Sequence, residues 1–148
     1  MKEKLLDVAA IRNGTVIDHI PPGNALKIIS LCSLEVNQSR TFIGLNLKST
    51  KMKVKDLLKI ENLEISQDLL DVIVILGGHS LTVNLIKNFE IVNKFKPRIP
   101  KMISVKFCCN NERCISHYEK TPGKFNVISK SNVIDLICFY CDEPYIVK

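Results

Sequence analysis

Two cysteine pairs in the last third of the chain constrain its fold more than any other feature of the sequence. Cys109 and Cys114 form a C-x4-C pair, and after 23 further residues Cys138 and Cys141 form a C-x2-C pair. Each pair can occupy a tight turn that directs two thiolates at one ion, and two such turns complete the tetrahedral set of four sulfurs typical of structural zinc. The spacing therefore predicts one closed zinc site, with no open position for a catalytic water.

Other roles for these residues stay open at this point. A C-x2-C pair also occurs in thiol oxidoreductases, although there it is favoured beside a βαβ unit, and isolated burial of the thiols is a further alternative. Cys108 could replace its neighbour Cys109, and His117 forms a C-x2-H pair with Cys114. Because four thiolates already complete the zinc shell, we expect neither Cys108 nor His117 to be a ligand.

A proline-containing connector separates this segment from the rest of the chain. Pro97 and Pro100 lie within residues 96–100 and favour an extended, semi-rigid backbone. We therefore predict one domain over residues 1–97 and a zinc domain over residues 101–148. The second segment holds five of the six cysteines. A domain of 48 residues seldom buries enough apolar surface to fold without a metal ion or disulfide bonds.

The first segment predicts alternating strands and helices. Asn13-Gly14 suits a tight turn between strands at 8–12 and 15–20. Asn24 is expected to cap a helix that buries Cys32, and Ser66 a helix through Leu76 that the following glycines end. The other predicted strands are 41–47, 57–61, 81–86 and 89–92, with a lysine-rich loop at 48–55. This order predicts an α+β chain: a ferredoxin-like antiparallel sheet with two helices and an extra hairpin strand, followed by a small, mainly β zinc domain.

Composition narrows the class of protein. Hydrophobic residues make up 46% and charged residues 24% of the 148 residues, which is typical of globular proteins and excludes a disordered chain. The N-terminus lacks the apolar stretch of a signal peptide, and no segment approaches the about 20 apolar residues of a membrane span. We expect a cytoplasmic protein without a membrane partner, in which reduced, clustered thiols bind metal.

The net charge does not favour a nucleic-acid partner. Four thiolates and one Zn²⁺ together carry −2, which lowers the formal charge from +6 to +4, and the basic residues are dispersed along the chain. A zinc-ribbon nucleic-acid-binding protein remains the main alternative function, and a thiol oxidoreductase is a third. The sequence contains no Walker loop, G-x-G-x-x-G, nucleophile elbow or paired catalytic His and Cys residues.

Several stretches in shared order resemble the regulatory chain of aspartate carbamoyltransferase and extend over nearly the whole sequence. They are residues 14–21 (GTVIDHIP), 43–47 (IGLNL), 55–62 (KDLLKIEN), 82–84 (TVN), 114–117 (CISH) and the C-x2-C pair. The resemblance implies a non-enzymatic subunit for allosteric regulation of pyrimidine biosynthesis. Its first domain would pair with a second copy of the chain and bind nucleoside triphosphates such as CTP, ATP and UTP, and its zinc domain would dock on the catalytic chain.

The resemblance also implies roles for individual residues. Lys59 and Lys94 would face the triphosphate, and Asp18 and His19 the sugar and the nearby phosphate. The base pocket would be formed by Val8, Ala9, Ala10, Ile11, Ile86, Phe89 and Ile91. Ala9 and Phe89 stand where well-known members of the family have an acidic residue and a tyrosine, so the resemblance does not predict which nucleotide activates or inhibits.

The loop between the first two zinc ligands is the expected docking element. It is pinned at both ends by metal, so Asn111 and Arg113 would be presented to a partner with little ordering entropy left to lose on binding. We predict that these two residues contact the catalytic chain.

Overall fold

A computed structural model describes residues 8–31, 38–119, 121–131 and 133–146 as two β-sheets with two α-helices. The first sheet contains β1 (Gly14–Ile20), β2 (Thr41–Ser49), β3 (Lys53–Glu61), β4 (Thr82–Lys87) and β5 (Glu90–Phe95). The helices are α1 (Asn24–Leu31) and α2 (Gln67–Gly77), and 3₁₀ turns occupy Gly78–Ser80 and Ile115–His117. The second sheet contains β6 (Met102–Val105), β7 (Gly123–Lys130), β8 (Val133–Cys138) and β9 (Pro144–Tyr145).

The first sheet confirms the predicted ferredoxin-like arrangement. Its strands lie in the order β2-β3-β1-β4-β5, and all four neighbouring pairs are antiparallel. The chain runs β1-α1-β2-β3-α2-β4 through this arrangement. The extra strand is β5, which pairs with β4 at one edge.

The predicted strand at 8–12 was wrong. Strand β1 pairs with β3 along one edge and with β4 along the other, so neither edge is left for the residues before Gly14. The segment instead crosses the end of the sheet. The backbone carbonyl of Asn13 accepts from Asn62 N (3.0 Å), that of Arg12 accepts from Phe89 N (2.9 Å), and Ile11 packs on the sheet.

The predicted loop at 48–55 was also wrong, because β2 and β3 form a hairpin with a short turn at 50–52. Lys48 pairs with Val54 and Leu47 with Lys55. The Ser49 hydroxyl accepts from Met52 N (3.2 Å) and closes the turn. Most of the lysines predicted in a loop therefore project from strands at fixed positions.

Both helices cover one face of the first sheet. Their core includes Ile17, Ile28, Leu58, Ile73 and Val83, each fully buried. The opposite face carries no helix among the described residues. Instead it holds a smaller cluster of Ile11, Val16 and Leu57, against which Val8, Phe42, Leu47 and Ile86 pack.

The helix ends confirm one predicted cap and correct another. Ser66 accepts from Leu69 N at the start of α2, and Gly78, with φ of 65°, ends it. Asn24 does not cap α1, because its side-chain amide donates to the Leu76 carbonyl (2.8 Å). The buried carboxylate of Asp56 accepts from the backbone N–H groups at the start of α1 instead. The predicted burial of Cys32 lies outside the described residues.

The second sheet has the order β6-β7-β8-β9 and packs around Phe125, which is fully buried. The rings of Phe107 and Tyr145 lie 5.7 and 5.0 Å from that of Phe125. Val72 and Ile75 of α2 pack against the same core, so this helix contacts both sheets. No helix in the described ranges is long and apolar enough to cross a membrane.

Candidate metal centre and effector site

The structure brings together the four cysteines predicted as zinc ligands. Their Sγ atoms all lie within 4.8 Å of one another. The Cys109 and Cys141 sulfurs are 3.8 Å apart, and the Cys114 and Cys138 sulfurs are 3.7 Å apart. Each close contact therefore joins a sulfur of the first pair to a sulfur of the second.

Local backbone turns produce this convergence. Cys114 N donates to the Asn111 carbonyl (2.9 Å), which closes the turn of the first pair. Asp142 N donates to the Cys138 carbonyl (2.9 Å), with Asp142 at a φ of 59°, and this closes the turn of the second pair. The two turns are held against each other by the second core, which includes three of the four cysteines.

The arrangement fits zinc. A Zn–S bond of about 2.3 Å places neighbouring sulfurs of a regular tetrahedron about 3.8 Å apart, close to the two short distances observed. Cys109, Cys114 and Cys138 are buried and Cys141 is half-buried, so the site is largely shielded from water. Four thiolates leave no coordination position for a substrate or an activated water. The site can therefore fix the shape of the domain but has no means of catalysis.

The environment of each thiol differs. Burial raises the pKa of Cys109 to about 12 and also raises the pKa of Cys138. The Ser116 hydroxyl lowers the pKa of Cys114 to about 6, against the opposing effect of burial. Because zinc binds thiolates, metal binding at this site must displace protons from the buried thiols.

The two alternative ligands lie outside the sulfur cluster. Cys108 is exposed, and its thiol donates to the Ser116 carbonyl (3.4 Å). The His117 Nε2 lies 2.8 Å from the Cys109 carbonyl. Because a carbonyl only accepts hydrogen bonds, this nitrogen carries the proton and donates, which leaves it without a lone pair for a metal.

The predicted docking residues lie in the first turn. Asn111 is half-buried, and its side-chain oxygen accepts from Arg113 N (3.1 Å), which stabilises the turn from within. Arg113 is exposed. Large apolar side chains are exposed in the same domain, among them Ile115, Tyr118, Phe139 and Ile146.

The second group of predicted site residues lies on the helix-free face of the first sheet. Val16 pairs with Lys59 on one side and with Asn84 on the other, and Asn84 pairs with Lys94. Directly paired residues project from the same face, so Lys59, Val16, Asn84 and Lys94 form one row across four strands. The predicted phosphate-facing lysines are thus brought to one face from distant parts of the chain.

Asp18 and His19 lie beside this row. The Asp18 carboxylate pairs with the Lys55 ammonium (2.8 Å) and accepts from His19 N (2.6 Å). His19 has a φ of 55°, a backbone conformation rarely adopted outside glycine, and its Nδ1 lies 3.3 Å from the Thr82 hydroxyl.

Positive charge accumulates around these residues. Burial lowers the pKa of His19 from its ordinary value of 6.5, Asp18 opposes this shift, and Lys55, Lys51 and Lys94 add to it. A side-chain contact with Lys96 lowers the pKa of Lys51, and Lys94 adds to that shift as well. The lysines next to His19 come from β3, from β5 and from the turn between β2 and β3, and Lys96 contacts Lys51 just beyond β5. This arrangement favours a bound anion.

The Lys59 ammonium contacts backbone carbonyls, which the sequence did not predict. Its ammonium donates to the backbone carbonyls of Val8 (3.2 Å) and Ala9 (3.1 Å), and burial lowers its pKa. The side chain thus connects the row of polar residues to the segment predicted to form the base pocket. In this structure it faces backbone oxygens.

The predicted base-pocket residues fall into two groups. Val8, Ile11 and Ile86 pack in the apolar cluster on the helix-free face, whereas Ala9 and Ala10 are exposed on the same segment. Phe89 and Ile91 lie at the β4–β5 hairpin with 64% and 56% of their surface exposed. A cavity of about 950 Å³ opens at the end of the sheet and is lined in part by Ile86. None of the lysines beside His19 lines this cavity.

Sequence reasoning missed two residues of this region. The Asn84 side-chain oxygen is buried without a hydrogen-bond partner among the described residues, although buried polar atoms are almost always paired. Lys55 is held against Asp18 but was assigned to a loop. The alternation of Thr82, Val83 and Asn84 in a predicted strand was the signal that could have placed Asn84 on the polar face.

Comparison with known proteins agrees with both halves of this description. Residues 6–98 match the family described as the aspartate carbamoyltransferase regulatory chain, allosteric domain. Residues 101–147 match the metal binding domain of the same chain. The metal-binding domain and the cluster of four thiols together identify zinc as the cofactor.

Relatives of known name are similar over nearly their whole length. The chain is 41% identical to the aspartate carbamoyltransferase regulatory chain of Photobacterium profundum over 144 residues, which cover 97% of this chain and 93% of the relative. It is 42% identical to that of Vibrio cholerae, with 97% and 92% covered. It is 43% identical to that of Shigella dysenteriae over 140 residues, with 95% and 91% covered. These matches confirm the predicted regulatory, non-enzymatic role, and the chain belongs to the family of aspartate carbamoyltransferase regulatory chains.

Proposed function

We propose that the chain binds nucleoside triphosphates on the helix-free face of its first sheet and transmits their effect to aspartate carbamoyltransferase catalytic chains through its zinc domain. The observation that carries the proposal is the crowding of Lys51, Lys55 and Lys94 beside His19, with Lys96 against Lys51. Of these lysines, Lys55 is paired with Asp18. The rest leave a positive surface that suits a polyphosphate carrying several negative charges.

The polar groups next to the lysines suit a nucleoside. The Asp18 carboxylate can accept from ribose hydroxyls, and the unpaired Asn84 oxygen can accept from an N–H or O–H of the ligand. Lys59 holds the carbonyls of Val8 and Ala9, so the backbone of the 8–11 segment is positioned to read a base edge. We assign the base to this segment together with Ala10, Ile11, Ile86, Phe89 and Ile91, and the triphosphate to the side of Lys94.

The zinc domain is the proposed docking unit. Cys109, Cys114, Cys138 and Cys141 are the proposed zinc ligands, and the metal fixes the turn that presents Asn111 and Arg113. Exposed Ile115 and Tyr118 lie next to this turn and supply apolar surface for a protein partner. The partner we propose is the catalytic chain of the enzyme named in the family description.

Helix α2 is the proposed connection between the two sites. Ile73, Val74 and Leu76 pack in the core of the first sheet, whereas Val72 and Ile75 pack against the zinc domain. Because α2 packs in both cores, a displacement of the first sheet on nucleotide binding would also move the helix residues that contact the zinc domain. We propose that residues 1–97 form one domain and residues 101–148 the other, and that the connector between them has no regular secondary structure.

A second copy of the chain is the proposed partner of the first sheet. Strand β2 lies at the edge of the sheet, and its Ile43 and Leu45 are each 43% exposed. An exposed apolar edge strand readily pairs with another chain. We also propose that the assembly is cytoplasmic, because clustered free thiols that bind metal are typical of a reducing compartment.

Calorimetric titration tests the effector site. The Lys94→Ala chain is expected to bind CTP, ATP and UTP about 1.5–3 kcal/mol more weakly than wild type, the range for a hydrogen bond to a charged group. Lys130→Ala is the matched control, because Lys130 is exposed at the end of β7 in the other domain. Equal affinity of wild type and Lys94→Ala would show that the phosphate site lies elsewhere.

A further inference from the structure

Ser116 places a buried hydroxyl directly against the sulfur cluster. The side chain is 3% exposed and lies in the 3₁₀ turn that follows Cys114. Its Oγ donates to the Cys114 sulfur (3.2 Å) and lies 3.9 Å from the Cys109 sulfur. Within the described residues, both contacts of the hydroxyl therefore end on sulfur, and both sulfurs belong to the first cysteine pair.

The turn around Ser116 is built so that the hydroxyl stays in this position. His117 N donates to the Cys114 carbonyl (3.0 Å), and the His117 ring donates to the Cys109 carbonyl (2.8 Å). The Ser116 carbonyl accepts from the Cys108 thiol. With the backbone held on both sides, the side chain has a fixed direction toward the metal site.

The Ser116 hydroxyl makes a strong hydrogen bond in this place only if the sulfur that accepts it is a thiolate. A buried polar group without a partner is unfavourable, and a neutral thiol is a weak acceptor. Four thiolates around one Zn²⁺ leave an excess of two negative charges in a site shielded from water. A hydrogen bond to one sulfur withdraws part of that charge and stabilises the metal-bound form.

We propose that Ser116 is an outer-shell residue of the zinc site, whose hydroxyl donates to the Cys114 thiolate and slows loss of the metal. Outer-shell partners of metal ligands typically contribute 10- to 100-fold to metal affinity. Ser116 is a positioning residue in this proposal, because it acts on zinc through Cys114. The inference rests on the proposed four-cysteine ligand set.

Zinc transfer from the full-length chain to a chromogenic chelator is the first test. Ser116→Ala is expected to release zinc about 10-fold faster than wild type or more. Ser104→Ala is the matched control, since Ser104 is exposed on β6 of the same domain, and it should release zinc at the wild-type rate. Release from Ser116→Ala within about twofold of this control would overturn the proposal.

Cobalt substitution separates a hydrogen bond from a packing effect. In the Co²⁺-loaded chain, loss of a donor to sulfur raises the energy of the sulfur lone pairs, so the sulfur-to-cobalt charge-transfer band should move to longer wavelength in Ser116→Ala. Ser116→Thr keeps the hydroxyl and should retain the wild-type band. If the alanine variant does not take up cobalt, the band of Ser116→Thr alone tests the role of the hydroxyl. An unshifted band in Ser116→Ala, or a shifted band in Ser116→Thr, would overturn the role of the hydroxyl. A wild-type cobalt form without sulfur-to-cobalt bands would refute the ligand set itself.

Discussion

Replacing Asp56 by alanine should destabilise the first domain more than any other single change of a charged residue in it. Asp56 lies in β3, and its carboxylate is fully buried between the start of α1 and β2. One oxygen accepts from Gly23 N (2.8 Å) and Ala25 N (3.3 Å), and the other accepts from Asn46 N (3.0 Å). The side chain thus supplies the cap of α1 and holds the irregular part of β2 at the same time.

The three contacts give the magnitude. A hydrogen bond to a charged group contributes about 1.5–3 kcal/mol, and a buried N–H left without a partner costs about 1–3 kcal/mol. Contacts to one side chain do not add fully, so we expect Asp56→Ala to lower the free energy of unfolding by about 3–5 kcal/mol. This is a large part of the total of about 5–15 kcal/mol typical of a protein. Asp56→Asn keeps one accepting oxygen and should lose about half as much.

Urea unfolding followed by far-ultraviolet circular dichroism measures this difference. Both described α-helices lie in the first domain, so the helical signal reports on that domain while the zinc domain stays loaded with metal. Asp135→Ala is the control, because Asp135 is exposed on β8, and it should stay within about 0.5 kcal/mol of wild type. A loss below about 1 kcal/mol for Asp56→Ala would refute the assignment of the cap to this carboxylate.

Three further outcomes are expected. Cys114→Ser should reduce the zinc content below one ion per chain and unfold the second domain while the helical signal remains, and a full zinc content in metal analysis would contradict the ligand set. Burial lowers the pKa of His19 and so favours the neutral ring in the free chain, whereas a bound triphosphate favours the protonated ring. As the pH falls from about 8 to about 6, the nucleotide affinity of wild type should therefore rise relative to that of His19→Gln. An equal change of affinity with pH in the two chains would contradict this. Stripping zinc with a mercurial should release active catalytic chains that no longer respond to nucleotide, with both properties restored by zinc, and continued control by the zinc-free chain would refute docking through the metal domain.

Features that depend on residues close together in the sequence could be predicted from the sequence. The C-x4-C and C-x2-C spacings predicted the sulfur cluster because each turn is local and only the meeting of two turns is long-range. Ser66 and Gly78 act within one helical turn, so their roles at the ends of α2 could also be predicted.

Features that depend on which strands become neighbours could not be predicted in the same way. Residues 8–12 have the pattern of a strand, but β3 and β4 occupy both edges of β1, and no local pattern shows this competition. Asp56 falls between the predicted loop at 48–55 and the predicted strand at 57–61, and its role appears only when α1 is folded over it. The row that joins Lys59 to Lys94 exists only in the strand order β3-β1-β4-β5.

The apolar run at 69–76 in α2 shows how such long-range information can still be present in a sequence. The run contains seven apolar residues and one charged residue, Asp71, so it lacks the polar stripe of a helix that covers one sheet and faces water on its other side. A helix that is apolar on most sides must be buried on most sides. One core accounts for Ile73, Val74 and Leu76, and only a second one accounts for Val72 and Ile75, which pack against the zinc domain. The composition of α2 therefore requires a partner beyond its own sheet, and the covalently attached metal domain supplies it.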